Sequence, residues 1–229
     1  MLATRAQGGR LLPEVNSSGM RQRETDSQIT LGLLDAVQQN ARLSQRTLSG
    51  ELGIALGLTN AYLKRCIGKG WIKVRRAPPN RYVYYLTPKG FAEKSRLTAR
   101  YLKSSLHFYA VARNEMSGLM QACASAGRQR LVLAGADELA EIALICAMQY
   151  PALEIAGVLD EGRRGTRFLH VPLARRLDEL GDIHAVILTH MRAPQAVYDA
   201  LIERLPAERI LVPYLLKVAR RERPAQKVP

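Results

Sequence analysis

The stretch from Ser44 to Leu86 limits what this chain can fold into more than any other. It opens with Ser44, a residue type that caps helices, and the leucines that follow predict a short helix over residues 45–52 that ends at Gly53. A second helix is predicted over residues 55–69, and Gly70 ends it. Two helices joined by a glycine-containing turn, the second one basic, are typical of a helix-turn-helix.

A β-hairpin is predicted directly after the two helices. Residues 71–75 alternate apolar and basic side chains, residues 77–80 contain the turn formers Pro and Asn, and residues 81–86 are rich in strand formers. A hairpin in this place is a wing. Together the second helix and the wing would present two positively charged surfaces to one DNA duplex, so we expect double-stranded DNA to be a partner.

The second helix is expected to have two different faces. Spacings of three and four predict a buried face with Thr59, Leu63, Cys66 and Ile67. The other face is expected to read base edges in the major groove, with Asn60 bonded to adenine through both atoms of its amide. The residues expected to contact bases are Leu58, Asn60, Ala61 and Lys64, and those expected to bind phosphates or the minor groove are Arg65, Lys73, Arg75, Arg76 and Arg81. Gln45 and Arg46 complete the predicted DNA-binding set.

Positive charge is concentrated in the first half of the chain. Residues 1–113 contain 19 Lys and Arg against 6 Asp and Glu, whereas residues 114–229 contain 15 against 14. An excess that only served solubility would be spread evenly, so this segregation favours a polyanionic partner for the first half. The three cysteines form no CxxC pair, and no apolar run approaches the roughly 18 residues of a membrane span. We therefore expect a cytoplasmic protein with buried thiols, no metal site and no membrane contact.

The first half also resembles a known family. Six pieces carry the resemblance, and they are Gln45–Leu48, Glu51–Ile54, Leu63–Lys64, Lys69–Gly70, Leu86–Gly90 and Ala92–Lys94. They are similar to MarR-type winged-helix regulators associated with exopolysaccharide clusters. The resemblance implies a transcriptional regulator of polysaccharide biosynthesis genes. Ala55 departs from the pattern, because such regulators usually carry a Ser or Thr cap there, and the departure implies one cap or phosphate contact fewer.

The chain divides into five predicted segments. Residues 1–25 are interpreted as a disordered tail, with Met1 or Met20 as the start, and residues 26–87 as the winged-helix domain. Residues 88–126 predict one long helix, which either pairs with its twin in a homodimer or packs on the second domain of its own chain. Residues 128–216 predict the second domain, and residues 217–229 form a basic tail that is either disordered or a secondary DNA contact.

The second half predicts strands that alternate with helices. Buried-strand runs are predicted at residues 131–134, 153–159, 185–188 and 210–212, with a short strand at 168–170 and helices at 137–149, 173–180 and 194–205. This alternation indicates a small, doubly wound parallel sheet. The predicted fold class is therefore α/β with two domains: an N-terminal winged helix-turn-helix, a long connecting helix and a C-terminal Rossmann-like sheet.

In such a sheet a ligand lies at the carboxyl ends of the strands, where the strand order reverses. This rule nominates Gly135, Ala136, Asp137, Glu138, Asp160, Thr189 and His190 as ligand-binding residues. The turn keeps only the first glycine of GxGxxG, and Asp137 brings bulk and negative charge to the place of a phosphate. Two interpretations remain: the turn binds phosphate, or Asp137 is only the N-cap of the next helix. Asp160 is either a ribose-binding acid or a turn residue.

This half resembles the small Rossmann domains that precede sugar-transferases and nucleotide-sugar dehydratases of polysaccharide clusters. The pieces that carry the resemblance are Gly135, Glu154–Asp160, Val171–Leu173 and Asp182–Ile187. It implies a nucleotide or nucleotide-sugar as effector, with no cofactor required. No catalytic motif is identified. Tyr85 and Lys89 have the Tyr-x-x-x-Lys spacing that reductases and epimerases use, but the pair straddles the wing and the next helix. Two alternatives stay open: a nucleotide-sugar enzyme with a basic adaptor, and a DNA-binding scaffold with an inert oligomerisation module.

Overall fold

The computed structural model describes residues 17–77 and 81–220, without the side chains of residues 17–23, Ala77 and Arg81. The chain divides into two compact units, residues 1–104 and 105–229, and each unit is described by itself. The first unit contains α1 (Ser17–Gln39), α2 (Gln45–Leu52), α3 (Leu56–Gly68), β1 (Ile72–Ala77), β2 (Arg81–Leu86) and the beginning of α4 (Pro88–Ser125). Strands β1 and β2 form an antiparallel hairpin. These elements are the predicted helix-turn-helix, wing and long helix.

Helix α1 begins earlier than predicted. The tail was expected to reach residue 25, but α1 starts at Ser17. Met20 to Glu24 are strong helix formers, and they continue the helix in front of its apolar residues. Residues 1–16 of the predicted tail lie outside the described residues.

The core of the first unit joins all its helices to the wing. Fully or nearly fully buried side chains come from α1, α2, α3, β1, β2 and α4, and they include Leu33, Leu34, Leu48, Leu63, Cys66, Ile72, Tyr84 and Leu97. The predicted buried face of α3 needs one correction: Tyr62 is buried and Ile67 is exposed. Ile67 follows the fully buried Cys66 in the last turn of α3 and lies on the side away from the core, whereas the hydroxyl of Tyr62 reaches α1.

Local capping fixes the helix ends where the sequence predicted them. The hydroxyl of Ser44 accepts a hydrogen bond from the backbone N–H of Thr47 at 3.0 Å, and Gly53 ends α2 in the left-handed conformation with φ 61°. Thr87 caps α4 by accepting from the N–H of Gly90 at 3.1 Å. The same hydroxyl donates to the carbonyl oxygen of Gly70 at 2.6 Å, so one side chain fixes both the start of α4 and the start of the wing.

The second unit is a six-stranded sheet with helices on both faces. Its elements after α4 are β3 (Arg130–Ala134), α5 (Glu138–Ala147), β4 (Glu154–Leu159), β5 (Arg167–Phe168), β6 (Val171–Ala174), β7 (Ala185–Leu188), α6 (Pro194–Ile202) and β8 (Ile210–Leu211). The strand order is β5-β6-β4-β3-β7-β8. All neighbouring strands are parallel except β5 and β6. The order reverses between β3 and β7, which is the switch point that the alternating pattern predicted.

Alternate residues of the central strands face the two helical layers. Leu131 and Leu133 pack with α5 and with Met116 and Met120 of α4, while Val132 and Ala134 pack in a separate cluster with α6. Residues 131–134 of β3 and all of β7 are fully buried on both faces of the sheet. The continuous apolar runs in the sequence therefore correspond to strands that are covered on both sides, which confirms the predicted α/β fold class.

The region between β4 and β7 differs from the prediction. Helix 173–180 was wrong, because Leu173 and Ala174 belong to strand β6 and only Leu177–Leu180 forms a 3-10 turn. Apolar residues at positions 173, 177 and 180 imitate helical spacing, but Pro172 holds the residue before it extended, and Val171, Leu173 and Ala174 are buried in the sheet. The predicted strand 168–170 is also shifted to Arg167–Phe168.

The described C-terminal residues are attached to α6. Helix α6 ends at Ile202 rather than at the predicted residue 205. Gln195 accepts a hydrogen bond from the N–H of Ala219 at 2.9 Å and donates one to its carbonyl oxygen at 3.2 Å. Ala219 of the predicted basic tail is therefore attached to α6, and residues 221–229 lie outside the described residues. Among the helices that are described, none combines the length and the apolar character needed to cross a membrane.

Candidate nucleic-acid interface and ligand cleft

Helix α3 presents a continuous exposed face. Leu58, Ala61, Lys64 and Arg65 are exposed, and their spacings of three and four place them on one side of the helix. Ala55 occupies the N-cap position without a side-chain hydrogen bond, as its residue type predicted. The unbonded N–H groups of this first turn give α3 a partial positive charge at the end where Leu58 lies.

Asn60 is placed differently from the other predicted base-reading residues. It is only partly exposed, and its Oδ1 atom is enclosed without a hydrogen-bond partner among the residues that the structure describes. A buried carbonyl oxygen without a partner costs about 1–3 kcal/mol. A bond to adenine through both amide atoms requires this oxygen to turn outward, so the role of Asn60 stays a prediction.

Arg65 is part of a polar cluster with α1. Its guanidinium lies 4.9 Å from the ring centre of Tyr62 and 3.7 Å from the carboxylate of Asp26, to which the Tyr62 hydroxyl donates a hydrogen bond. Burial, followed by the hydrogen bond to Asp26, raises the pKa of Tyr62. Half of the Arg65 side chain remains exposed, so the cluster orients it without enclosing it.

The wing carries basic side chains on both of its faces. Lys73 pairs in register with Tyr85, and Arg75 pairs with Val83, so these two basic residues share one face. Arg76 lies on the other face, where its guanidinium is 5.9 Å from the ring centre of Tyr82. All three basic residues are exposed. The side chain of Arg81 and the predicted turn residues 78–80 lie outside the described residues.

The two predicted residues of α2 have different positions. Gln45 donates a hydrogen bond to the Tyr84 hydroxyl at 3.4 Å and thereby connects α2 to the wing. Arg46 is exposed in the first turn of α2. The structure thus places Arg46 on the surface and gives Gln45 a connecting contact, which its sequence position did not reveal.

In the second unit, the turn after β3 is closed by the chain itself. Gly135 has φ 114°, and a Cβ atom there would collide with the backbone of His190. The hydroxyl of Thr189 donates to the carbonyl oxygen of Gly135 at 2.6 Å. The turn therefore lies directly against the segment after β7. Gly135 is required both for its conformation and for this close approach.

Asp160 binds the same turn from the end of β4. One carboxylate oxygen accepts from the N–H of Ala136 at 2.9 Å, and the other accepts from Gly162 and Arg163 at 3.0 and 3.2 Å. The Arg163 guanidinium donates back to the carbonyl oxygen of Ala136 and lies 5.0 Å from the ring centre of Phe168. The chain's own carboxylate therefore uses the amide that a bound anion would need.

Asp137 does not cap α5 with its side chain. It stands at the N-cap position, but its carboxylate makes no cap hydrogen bond and accepts from the N–H of Met191 at 2.8 Å instead. The capping interpretation is corrected in this respect, because the segment after β7 reaches the carboxylate in place of the helix N–H groups. The carboxylate is also 3.8 Å from Nδ1 of His190, which accepts from the N–H of Ala193 at 3.1 Å. Glu138 is exposed in the first turn of α5.

A cleft of about 300 Å³ opens beside this turn, and we call it the β3–β7 cleft. Three predicted ligand residues line it, namely Gly135, Asp160 and His190. The other lining residues were not predicted, and they are Leu159, Glu161, Gly162, Leu177, Ala196, Val197, Ala200, Leu201 and Arg204. Most of them lie on α6 or on the 3-10 turn, and only the fold brings them together. Among the described residues, no group of three or more His, Cys, Asp or Glu could hold a metal ion.

Comparison with known proteins bears on the first unit. Residues 26–73 match the family described as winged helix-turn-helix DNA-binding. Curated proteins gave no match to this chain. Several solved structures are similar to parts of it. FabT of Streptococcus pneumoniae, in complex with DNA, is 25% identical and covers 34% of this chain and 55% of its own, with a TM-score of 0.29.

Two further solved structures are similar to parts of the chain. The S. aureus MepR–DNA complex is 20% identical and covers 41% of this chain and 75% of its own, with a TM-score of 0.34. MarR from E. coli is 19% identical and covers 38% and 76%, with a TM-score of 0.29. This chain thus matches about half the length of FabT. Because all three TM-scores are below 0.5, the assignment depends on the matched segment and on the geometry of α2, α3, β1 and β2. On that basis, the chain contains a winged helix-turn-helix domain of the DNA-binding type.

Proposed function

We propose that this protein is a DNA-binding transcriptional regulator of the MarR type. The observation that carries the proposal is the exposed face of α3 beside a wing whose basic residues are exposed on both faces. A helix of this kind enters the major groove, and a basic hairpin binds the neighbouring backbone. Residues 1–113 contain 19 basic and 6 acidic residues, and this positive charge supplies the long-range attraction to DNA. Because the target is genomic DNA, the proposal includes a cytoplasmic location.

Different residues have different tasks in this proposal. Leu58, Ala61 and Lys64 face base edges, and Asn60 reads adenine once its amide turns outward. Basic residues of α2 and the wing bind phosphates, and they are Arg46, Lys73, Arg75, Arg76 and Arg81. Arg65 has the same task from its position beside Asp26. Gln45 supports the wing through Tyr84.

We propose that the protein acts as a homodimer through α4. The middle of this helix exposes Leu102, Leu106 and Tyr109 at spacings of four and three, and Leu106 is 68% exposed. A second copy would cover this apolar surface. A two-fold dimer places two copies of α3 about one DNA turn apart, which suits an inverted repeat.

The second unit is proposed to bind a small effector and to carry out no catalysis. The Rossmann-like resemblance supports a nucleotide or nucleotide-sugar as the effector and polysaccharide biosynthesis genes as the targets. The β3–β7 cleft supports the location of the site, since open α/β sheets bind ligands at the switch point. No separate cofactor is needed for this role.

Selection from random duplexes with the full chain tests the DNA proposal. We expect an enriched sequence with inverted-repeat character, and two variants should then respond differently in fluorescence anisotropy. Arg81→Ala should weaken specific and scrambled duplexes alike, while Asn60→Ala should relax the preference at one base pair and cost about 1–3 kcal/mol there.

A matched control separates these effects from a general loss of charge. Lys103→Ala removes an exposed positive charge from α4 and should leave both the affinity for DNA and the base preference nearly unchanged. If Asn60→Ala alters only the free energy of unfolding and not the base preference, Asn60 is a core residue and its assignment is wrong. If no duplex is enriched and the chain ignores DNA at low salt, the proposed function itself is wrong.

A further inference from the structure

The turn after β3 has the glycine and the following helix of a phosphate-binding turn, but its backbone N–H is already bonded within the chain. Gly135 and the following helix α5 are in the place where open α/β sheets bind a ligand phosphate. The N–H of Ala136 is bonded to the Asp160 carboxylate, and the backbone of His190 lies against Gly135. An external phosphate would have to displace a carboxylate that is bonded to three backbone N–H groups. The turn itself is therefore unsuited to pyrophosphate.

The groups around the β3–β7 cleft still have unused hydrogen-bonding capacity. A carboxylate offers about four acceptor positions, and three of those on Asp160 are occupied, so about one remains. Because Nδ1 of His190 accepts from Ala193, the neutral ring carries its proton on Nε2, which is a donor. Arg204 is exposed at the cleft, and its guanidinium has no ion pair among the described residues.

The size and lining of the cleft restrict what it can hold. Its volume of about 300 Å³ is at the lower end of the range for ligand pockets, which suits a single nucleoside better than a complete dinucleotide. Six of its lining residues are apolar, namely Leu159, Leu177, Ala196, Val197, Ala200 and Leu201. Such walls suit a flat, weakly polar ring, and the charged lining residues are Asp160, Glu161 and Arg204.

We propose that the β3–β7 cleft binds a ligand with a single nucleoside, and that the ligand phosphate lies at Arg204 and not at the Gly135 turn. The base lies between the apolar walls, and a ribose hydroxyl donates to the remaining acceptor position of Asp160. Arg204 pairs with the phosphate, for which a guanidinium has matching geometry. This inference rests on the proposed effector role of the second unit and defines its ligand class.

Isothermal titration calorimetry on the full chain tests the proposal. The protein is first shown by its absorbance ratio to carry no nucleotide, and it is then titrated with adenosine, AMP, uridine, UMP, UDP-glucose and NADH. We expect one nucleoside to bind, its monophosphate to bind more tightly, and NADH to bind no better than the nucleoside. Arg204→Gln should weaken the monophosphate by about tenfold or more and change the nucleoside by less than about twofold.

Two further variants make the result specific. Arg175→Gln removes an exposed positive charge that does not line the cleft, and it should change neither affinity. Ala200→Leu fills the cleft and should weaken nucleoside and monophosphate alike by about tenfold or more. Thermal unfolding of every variant reports whether the second unit is still folded, and DNA binding measured by anisotropy reports on the first unit.

Several results would overturn the inference. One is that none of the six compounds binds, and another is that NADH alone binds. A third is that Arg204→Gln weakens the nucleoside as much as the monophosphate, or that Arg175→Gln has the same effect as Arg204→Gln. If the chain binds DNA in each of these cases, the ligand inference fails while the proposed function as a DNA-binding regulator stands.

Discussion

Removal of two charges from the wing should change how DNA affinity responds to salt. Lys73 and Arg75 are exposed on one face of the wing, and neither has an ion pair among the described residues. Each basic residue that neutralises a phosphate adds about 0.9 to the slope of log affinity against log salt. The double variant Lys73→Gln, Arg75→Gln should therefore lower the slope by about 1.8 if both residues contact the DNA backbone.

This slope change corresponds to a measurable difference in affinity. Between 50 and 200 mM salt, the dissociation constant of the unmodified chain should rise about 12-fold more than that of the variant. Fluorescence anisotropy with one labelled duplex at four salt concentrations measures both slopes. Thermal unfolding of the variant should be unchanged, since the two side chains are exposed and contribute little to the core.

A control variant removes the same charge from the second unit. Arg175→Gln, Arg192→Gln lowers the net charge by two at exposed positions that belong to no predicted DNA contact. Its salt slope should equal that of the unmodified chain. If the wing variant changes the slope by less than about 0.9, or if the control changes it equally, the wing does not bind phosphates as argued.

Three further predictions concern stability. Burial raises the pKa of the Cys66 thiol from 9.0 to about 11. The free energy of unfolding should therefore fall between pH 9 and 11, because only the thiol of the unfolded chain ionises there. Cys66→Ala should reduce this fall in urea titrations. Ser44→Ala removes the cap of α2 and should cost about 1 kcal/mol in urea unfolding, and an unchanged midpoint would contradict the cap. In Gly90→Ala the new Cβ atom would collide with the carbonyl oxygen of Trp71, and the substitution should lower the free energy of unfolding by about 1–3 kcal/mol. Gly118→Ala on the same helix has open space around it and should be neutral or stabilising. Thermal unfolding measures both variants.

The sequence predicted the parts of the fold that are determined by nearby residues. The bounds of α2 and β2 agree with their predictions residue by residue, because a cap, a glycine and a run of strand formers are all local signals. Thr87 and Pro88 likewise marked the start of α4. Such elements need no knowledge of distant contacts.

The errors occur where distant contacts decide the result. Leu173, Leu177 and Leu180 have helical spacing, yet the first of them is in β6 because that strand pairs with β4. Tyr62 was missed as a core residue because its partner Asp26 is on another helix, 36 residues away. Periodicity within one segment carries no information about either contact.

The candidate sites show the same division between local and distant signals. The exposed face of α3 was predictable, since exposure along one helix follows its own periodicity, and Leu58, Ala61 and Lys64 are where the sequence placed them. The hydrogen bond from Gln45 to Tyr84 and the ion pair between Arg65 and Asp26 were not predictable, because each joins two separate elements. The residue types predicted the charge of the DNA-binding surface, whereas the exposure of each charged side chain depends on contacts between separate elements.

The turn after β3 shows why a damaged motif has to be interpreted together with its surroundings. The missing glycines and the bulk of Asp137 suggested only that a phosphate fits poorly, and Asp160 was interpreted independently as either a ribose-binding acid or a turn residue. The structure joins these observations, because the Asp160 carboxylate is bonded to the Ala136 N–H that a phosphate would use. Once that negative charge is supplied within the chain, the turn no longer needs the second and third glycines that admit a pyrophosphate. The absence of the second and third glycines and the position of Asp160 are therefore both explained by the hydrogen bond between the Asp160 carboxylate and the Ala136 N–H.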